Sequence, residues 1–117
     1  MRKMGVRSCA LVLGGVLGVL IGAGVAAQAE ETGVAGIHSW VKIGRKTCLA
    51  DHFHSGNGSG PTRPQAEKAA VQSWADFTAW EYGSTWGKYT VATSKKMTCE
   101  RGDSWSCFVE ARPCRPF

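Results

Sequence analysis

Residues 55–83 read SGNGSGPTRPQAEKAAVQSWADFTAWEYG, a glycine-rich half followed by a helical half. Thr62 is placed as an N-cap whose capping-box partner is Gln65, and Pro64 is tolerated in a first turn that has no use for its N–H. Gly83 supplies a stop in the left-handed conformation. Between these signals Ala66, Ala70, Trp74 and Phe77 recur at helical spacing, with Val71 and Thr78 widening the stripe. An apolar stripe of this kind packs on a sheet. Three glycines and a proline within Ser55–Pro61 read as a loop leading into the helix. That loop also places backbone amides at a helix N-terminus, where an anion could be held, but it lacks the G-K-[ST] of a nucleotide loop.

Three strands flank the helix in this reading. His38 to Ala50 carries Trp40, Val41, Ile43, Thr47, Cys48 and Leu49 and reads as one strand. Trp86 to Cys99 reads as a second, with Tyr89, Val91, Thr93, Met97 and Cys99 on one side. Trp105 to Arg112 is the third, with Trp105, Cys107, Val109 and Ala111 on one side. The polar turn Glu100–Ser104 joins the last two as an antiparallel hairpin. The expected fold is α+β, in the order β-α-β-β, with one helix packed on a small disulfide-stapled antiparallel sheet.

The chain N-terminal to this domain has a different character. Arg2, Lys3 and Arg7 precede an uninterrupted apolar run at 10–21, and a Gly/Ala-rich stretch ends in Ala27-Gln28-Ala29. A cationic start, a short apolar helix and an A-x-A site form the layout of a secretory signal. The expected organisation is a signal peptide at 1–29, a flexible lead-in at 30–37 and one small domain at 38–117. An uncleaved anchor is the rival reading of the same run, weakened by its glycines and its A-x-A ending.

Cys48, Cys99, Cys107 and Cys114 remain after the signal, an even number in a domain under about 100 residues, and read as two disulfides of an oxidising compartment. Zinc is disfavoured because closely spaced C-x-x-C pairs are missing. Cys99 and Cys107 flank the hairpin turn on matching faces, which leaves Cys48 for Cys114. The expected address is periplasmic or secreted, with no stable membrane span after signal cleavage.

The 117 residues carry a formal charge of +5, but removal of the signal leaves eleven basic against nine acidic side chains, a net charge of +2. So small and scattered an excess gives no reason to expect a nucleic-acid partner. At this length a large multidomain enzyme is excluded.

Two constellations stand out. Asp51-His52-Phe53-His54-Ser55 holds an H-x-H pair that, on a strand, points one way, so His52 and His54 could supply two metal positions with His38 or Asp51 as a distant third. A solvated strand end explains the same residues more simply. A Ser-His-Asp relay is not supported, because Asp51, His52 and Ser55 are too close in sequence and no G-x-S-x-G elbow occurs. The second constellation is aromatic. Five tryptophans are many for so short a domain, and most can fill a shallow core. Trp80 falls off the helical stripe and Trp86 follows the helix stop, so with Tyr82 they are the candidate binding patch.

The pattern Ala66…Trp74…Tyr82-Gly83…Trp86…Ala92…Cys99…Trp105-Ser106-Cys107…Ala111-Arg112-Pro113-Cys114 resembles a group of short exported proteins of Gram-negative, alphaproteobacterial, bacteria with a Trp/Cys-rich C-terminal half. The resemblance implies a periplasmic or secreted address and transfers no catalytic residue. The expected role is non-catalytic, with no cofactor: an exported binding or interaction module of the cell envelope whose partner is an envelope protein or a glycan. The alternative is a periplasmic metal-binding or metal-dependent hydrolytic protein using His52 and His54.

Overall fold

The computed structural model describes residues 34–117; the expected signal peptide and the start of the lead-in lie outside the described residues. A single α-helix and two three-stranded antiparallel sheets form the domain, which is α+β as expected. One sheet has the order β1-β2-β6, from Trp40–Ile43, Lys46–Leu49 and Cys114–Arg115. The other has the order β3-β5-β4, from His54–Gly60, Trp105–Arg112 and Thr93–Arg101. Short 3₁₀ turns at Val34–Ile37 and Ser84–Trp86 flank β1 and follow the helix. No helix among the described residues is long and apolar enough to cross a membrane.

Helix α1 runs over Arg63–Tyr82. Thr62 caps it through its hydroxyl oxygen, which accepts from the Gln65 N–H at 3.4 Å, while the same hydroxyl donates to Gln65 Oε1 at 3.0 Å. The capping partners are those expected, but the Gln65 side chain answers the threonine hydroxyl instead of the cap's backbone N–H. Gly83 ends the helix with φ 102° and ψ 157°, a positive φ that favours glycine, though extended in ψ instead of left-handed helical. Its N–H donates to the Ala79 carbonyl.

The buried helix residues are Ala66, Ala70, Trp74, Thr78 and Tyr82, a strict four-residue spacing. At about 100° per residue, each step of four turns the stripe by about 40°. The stripe therefore winds around the helix. Its first half meets Cys107, Val109 and Ala111 of the β3-β5-β4 sheet and Ala92 just before β4, and its end joins Leu49, Trp86 and Ala35 by the other sheet. Phe77, expected in the stripe, lies three residues after Trp74 and so on the other side of this winding line; it is 48% exposed.

The glycine-rich segment is the main correction to the sequence reading. It is not a loop but strand β3, paired along its length with β5 from His54↔Ala111 to Gly60↔Trp105. Gly56, Gly58 and Gly60 alternate with Ser55, Asn57 and Ser59, so beyond His54 one face of the strand consists of backbone alone. The helix lies directly on that face. A Cβ at Gly58 would overlap the Ala70 nitrogen and the Ala66 carbonyl, and one at Gly56 would overlap the Ala70 carbonyl and the Trp74 nitrogen. The glycines here serve close approach, not a turn.

Two further boundaries differ. The expected strand His38–Ala50 is a hairpin, because Gly44 at φ +61° opens a two-residue turn with Arg45 between β1 and β2. The strand expected from Trp86 starts only at Thr93. Residues 88–92 first make a tight turn in which the Val91 and Ala92 N–H groups donate to the Lys88 carbonyl. Strand β5 and its hairpin with β4 are as expected, with a bulge between Thr93 and Lys96 where Ser94 takes φ 53°.

Both disulfides have the expected pairing. Cys99–Cys107 joins directly opposed residues of β4 and β5, and Cys48–Cys114 joins directly opposed residues of β2 and β6. Buried Pro113 carries the chain from one sheet to the other, and its carbonyl accepts from the Leu49 N–H at 3.0 Å.

Candidate metal centre

All three histidines of the chain gather at the C-terminal end of α1. His54 is the first residue of β3, and the alternation that turns the glycines toward the helix turns its ring the same way, where it is 4% exposed. His52 lies in the connection between β2 and β3, with its ring centroid 5.3 Å from that of His54. His38 lies just before β1, 4.7 Å from His52 by centroid. From the last turn of the helix come Thr78, Glu81 and Tyr82. The ligand atoms of His52, His54 and Glu81 all fall within 4.8 Å of one another.

Hydrogen bonding sets the tautomer of His54. The Thr78 hydroxyl has one proton, which it donates to the Trp74 carbonyl at 2.6 Å. Its oxygen must therefore accept from His54 Nδ1–H at 3.3 Å. The proton on Nδ1 leaves the Nε2 lone pair facing the rest of the site, the orientation that a metal-ligating histidine takes from an outer partner. Nε2 stands 2.9 Å from Glu81 Oε2 and 2.9 Å from the Tyr82 hydroxyl, which also lies 3.3 Å from His38 Nε2.

Burial pushes the His54 pKa below its usual value; Glu81 opposes that shift, and His52 and His38 add to it. The geometric ion pair with Glu81 would need a proton on Nε2, and desolvation, the largest influence, works against that proton. We read His54 as neutral near pH 7. Two acceptors, Nε2 and Oε2, then face each other at hydrogen-bond distance; with the single Tyr82 proton given to His38 Nε2, a shared cation satisfies both. The C-terminal end of a helix dipole favours positive charge at the same place. Burial and Glu81 also push the Tyr82 hydroxyl well above its ordinary pKa, so it stays a neutral donor.

The lowered His54 pKa has a consequence for stability. The unfolded chain takes up a proton on this imidazole as pH falls through about 6.5, whereas the metal-free folded chain resists until its lower pKa is reached. Stability is therefore fully present above about pH 6.5 and declines through the interval below it. Urea midpoints at pH 7.5 and 5.5 should show the decline, and His54→Gln should flatten it. An equal pH response in that variant would assign the decline to other groups.

The residues expected from sequence fare differently. His52 and His54 come together, but only His54 is on a strand. His38 joins the cluster, while Asp51 lines a neighbouring cavity of about 210 Å³ with Ile37, His38, Ser39 and His52. Glu81, the third member, carries no ligand signal in the sequence; with Tyr82 on the buried line, it sits beside the site on the last helical turn. The aromatic patch expected from Trp80, Tyr82 and Trp86 does not form as one surface. Tyr82 is fully buried and Trp86 is 2% exposed, because the winding stripe carries Tyr82 into the second core cluster and the 3₁₀ turn folds Trp86 beneath it. Trp80 alone is open, 80% exposed, and it stacks on Phe77, which in turn stacks on His54.

No protein-family model, curated protein or solved structure matches this chain. The functional reading therefore rests on the site itself.

Proposed function

We propose that this chain is an exported, disulfide-stapled module of the cell envelope that binds a first-row transition-metal ion through His52, His54 and Glu81. The supporting observation is the approach of His54 Nε2 to Glu81 Oε2 at 2.9 Å, with His52 in reach and Nδ1 occupied by Thr78. Two imidazoles and one carboxylate suit zinc or copper(II), borderline ions that accept nitrogen and oxygen together. His38 stands next to His52 as a fourth nitrogen or as an outer partner. The two disulfides are compatible with an oxidising compartment, and the N-terminal layout of charge, apolar run and A-x-A supports export to the periplasm or beyond. The resemblance to short exported alphaproteobacterial proteins agrees with that address.

Calorimetric titration with zinc and with copper(II) tests the reading. The expected result is one ion per chain for at least one of the two metals. Affinity should fall by roughly 10- to 100-fold in Glu81→Gln and at least as far in His52→Ala. Circular dichroism of each variant confirms that the fold is kept. A lack of specific heat for either metal would falsify the proposal, as would unchanged binding in both variants.

A second reading, an interaction module that binds an envelope protein or a glycan, keeps one specific support. Trp80 presents an open indole braced on Phe77, the kind of aromatic surface that anchors protein contacts.

A further inference from the structure

We propose that the β1–β2 hairpin docks this protein on an anionic phospholipid surface. Strand β1 is an edge of its sheet, and all four of its residues are exposed. A strand with one buried face alternates; this one shows apolar side chains on both sides, with Trp40, Val41 and Ile43 each about two-fifths exposed. Lys42, Arg45 and Lys46 are set among them. No Asp or Glu occurs from Gly33 to Ala50, and among the described residues the Arg63–Glu67 ion pair and the His54–Glu81 contact both form elsewhere. The hairpin is thus a cationic ribbon with apolar tips and no carboxylate of its own.

Its base is held rigid. The Trp40 indole N–H donates to the Ala35 carbonyl at 2.8 Å, the Arg115 guanidinium lies 4.5 Å over the indole ring, and Cys48–Cys114 ties β2 to β6 behind it. A partner must answer both features of the ribbon at once. A soluble polyanion would use the cations but leave Val41 and Ile43 in water, and an apolar groove would bury three ammonium or guanidinium groups without counter-charge. A bilayer with anionic headgroups places phosphates at the level of Lys42, Arg45 and Lys46, and gives the indole and the aliphatic tips the boundary region where tryptophan is favoured.

The full chain with its disulfides formed should be mixed with vesicles of phosphatidylglycerol and phosphatidylcholine, and with vesicles of phosphatidylcholine alone. Amide hydrogen exchange at 40–46 then locates the contact, separating it from any binding through Arg2, Lys3, Arg7 and the apolar run at 10–21. The expected result is protection of the hairpin only on the anionic vesicles. At about 1 kcal/mol per cation near an anionic surface, the triple variant Lys42→Gln/Arg45→Gln/Lys46→Gln should weaken the anionic-lipid increment by roughly 100-fold. Val41→Ser/Ile43→Ser should weaken it as well, and exposed side chains of this kind leave the fold intact. Equal exchange with and without anionic vesicles would overturn the proposal. So would equal protection on neutral vesicles, or the same protection by inorganic polyphosphate. None of these outcomes bears on metal binding at His52, His54 and Glu81.

Discussion

Gly58→Ala is expected to cost about 3 kcal/mol or more, a large share of the net stability of a small domain. In an ordinary strand this change is mildly favourable, because alanine restricts the unfolded chain and extended backbone suits it. The sign reverses here because the new methyl group would overlap the Ala70 nitrogen and the Ala66 carbonyl oxygen. These are backbone atoms inside a helix, so no rotamer change can clear them. The helix would have to lift from β3, and its withdrawal would loosen Trp74 from Ala111, to whose carbonyl the indole N–H donates at 3.3 Å. Asn57→Ala, one residue away on the exposed face, is the control and should stay within about 0.5 kcal/mol. Urea denaturation of the two variants decides the matter. If Gly58→Ala were as stable as the parent, the helix would not rest on bare backbone.

The second large effect is loss of the disulfides. Cys48–Cys114 spans 66 residues and Cys99–Cys107 spans 8. By chain entropy the long link contributes about 4.4 kcal/mol and the short one about 2.6 kcal/mol. Net stabilities of small domains run from about 5 to 15 kcal/mol, so reduction of both should remove most of the native population. The order also follows. Cys48→Ala/Cys114→Ala should melt lower than Cys99→Ala/Cys107→Ala, for a local reason besides loop length. Strand β6 has two residues and two register pairs with β2, whereas β4 and β5 are paired along most of their length. Thermal melts followed by circular dichroism, with and without reductant, provide the comparison. A reduced protein that kept its transition within a few degrees would show that packing alone suffices.

What could be read in advance divides along a physical line. Local chemistry was legible. Thr62 and Gln65 announce a helix start by their own hydrogen-bonding capacity, and the alternation of Trp105, Cys107, Val109 and Ala111 states a strand face directly. The disulfide pairing followed from that alternation, since Cys99 and Cys107 had to meet once the hairpin was placed. Features that depend on a partner were misread. A glycine reports only the lack of a side chain, which serves a loose turn and a close approach equally. Gly56 and Gly58 became intelligible once Ala66, Ala70 and Trp74 were seen lying on them. Gly44 is a different case, because a glycine leading a two-residue turn between alternating residues is itself a hairpin signal.

The candidate site shows the same division. His52 and His54 were visible as a spaced pair, but Glu81 is 27 residues farther along than His54 and has no sequence mark as a ligand. Its place depends on the winding of the buried line that brings Thr78 to one side of His54 and Tyr82 to the other. The same winding removed Tyr82 and Trp86 from the surface. An aromatic residue off a straight stripe looks exposed until the stripe is known to turn.

That turning line makes the helix common property of both sheets. Neither sheet owns a core that would survive separation, so the domain is not modular at the level where its topology suggests two halves. A fragment ending before Pro113 would forfeit the last strand and leave Leu49 without its backbone acceptor; one starting after Leu49 would strip the cover from Tyr82. Anyone wishing to transplant the histidine cluster into another scaffold would have to carry nearly the whole described chain with it.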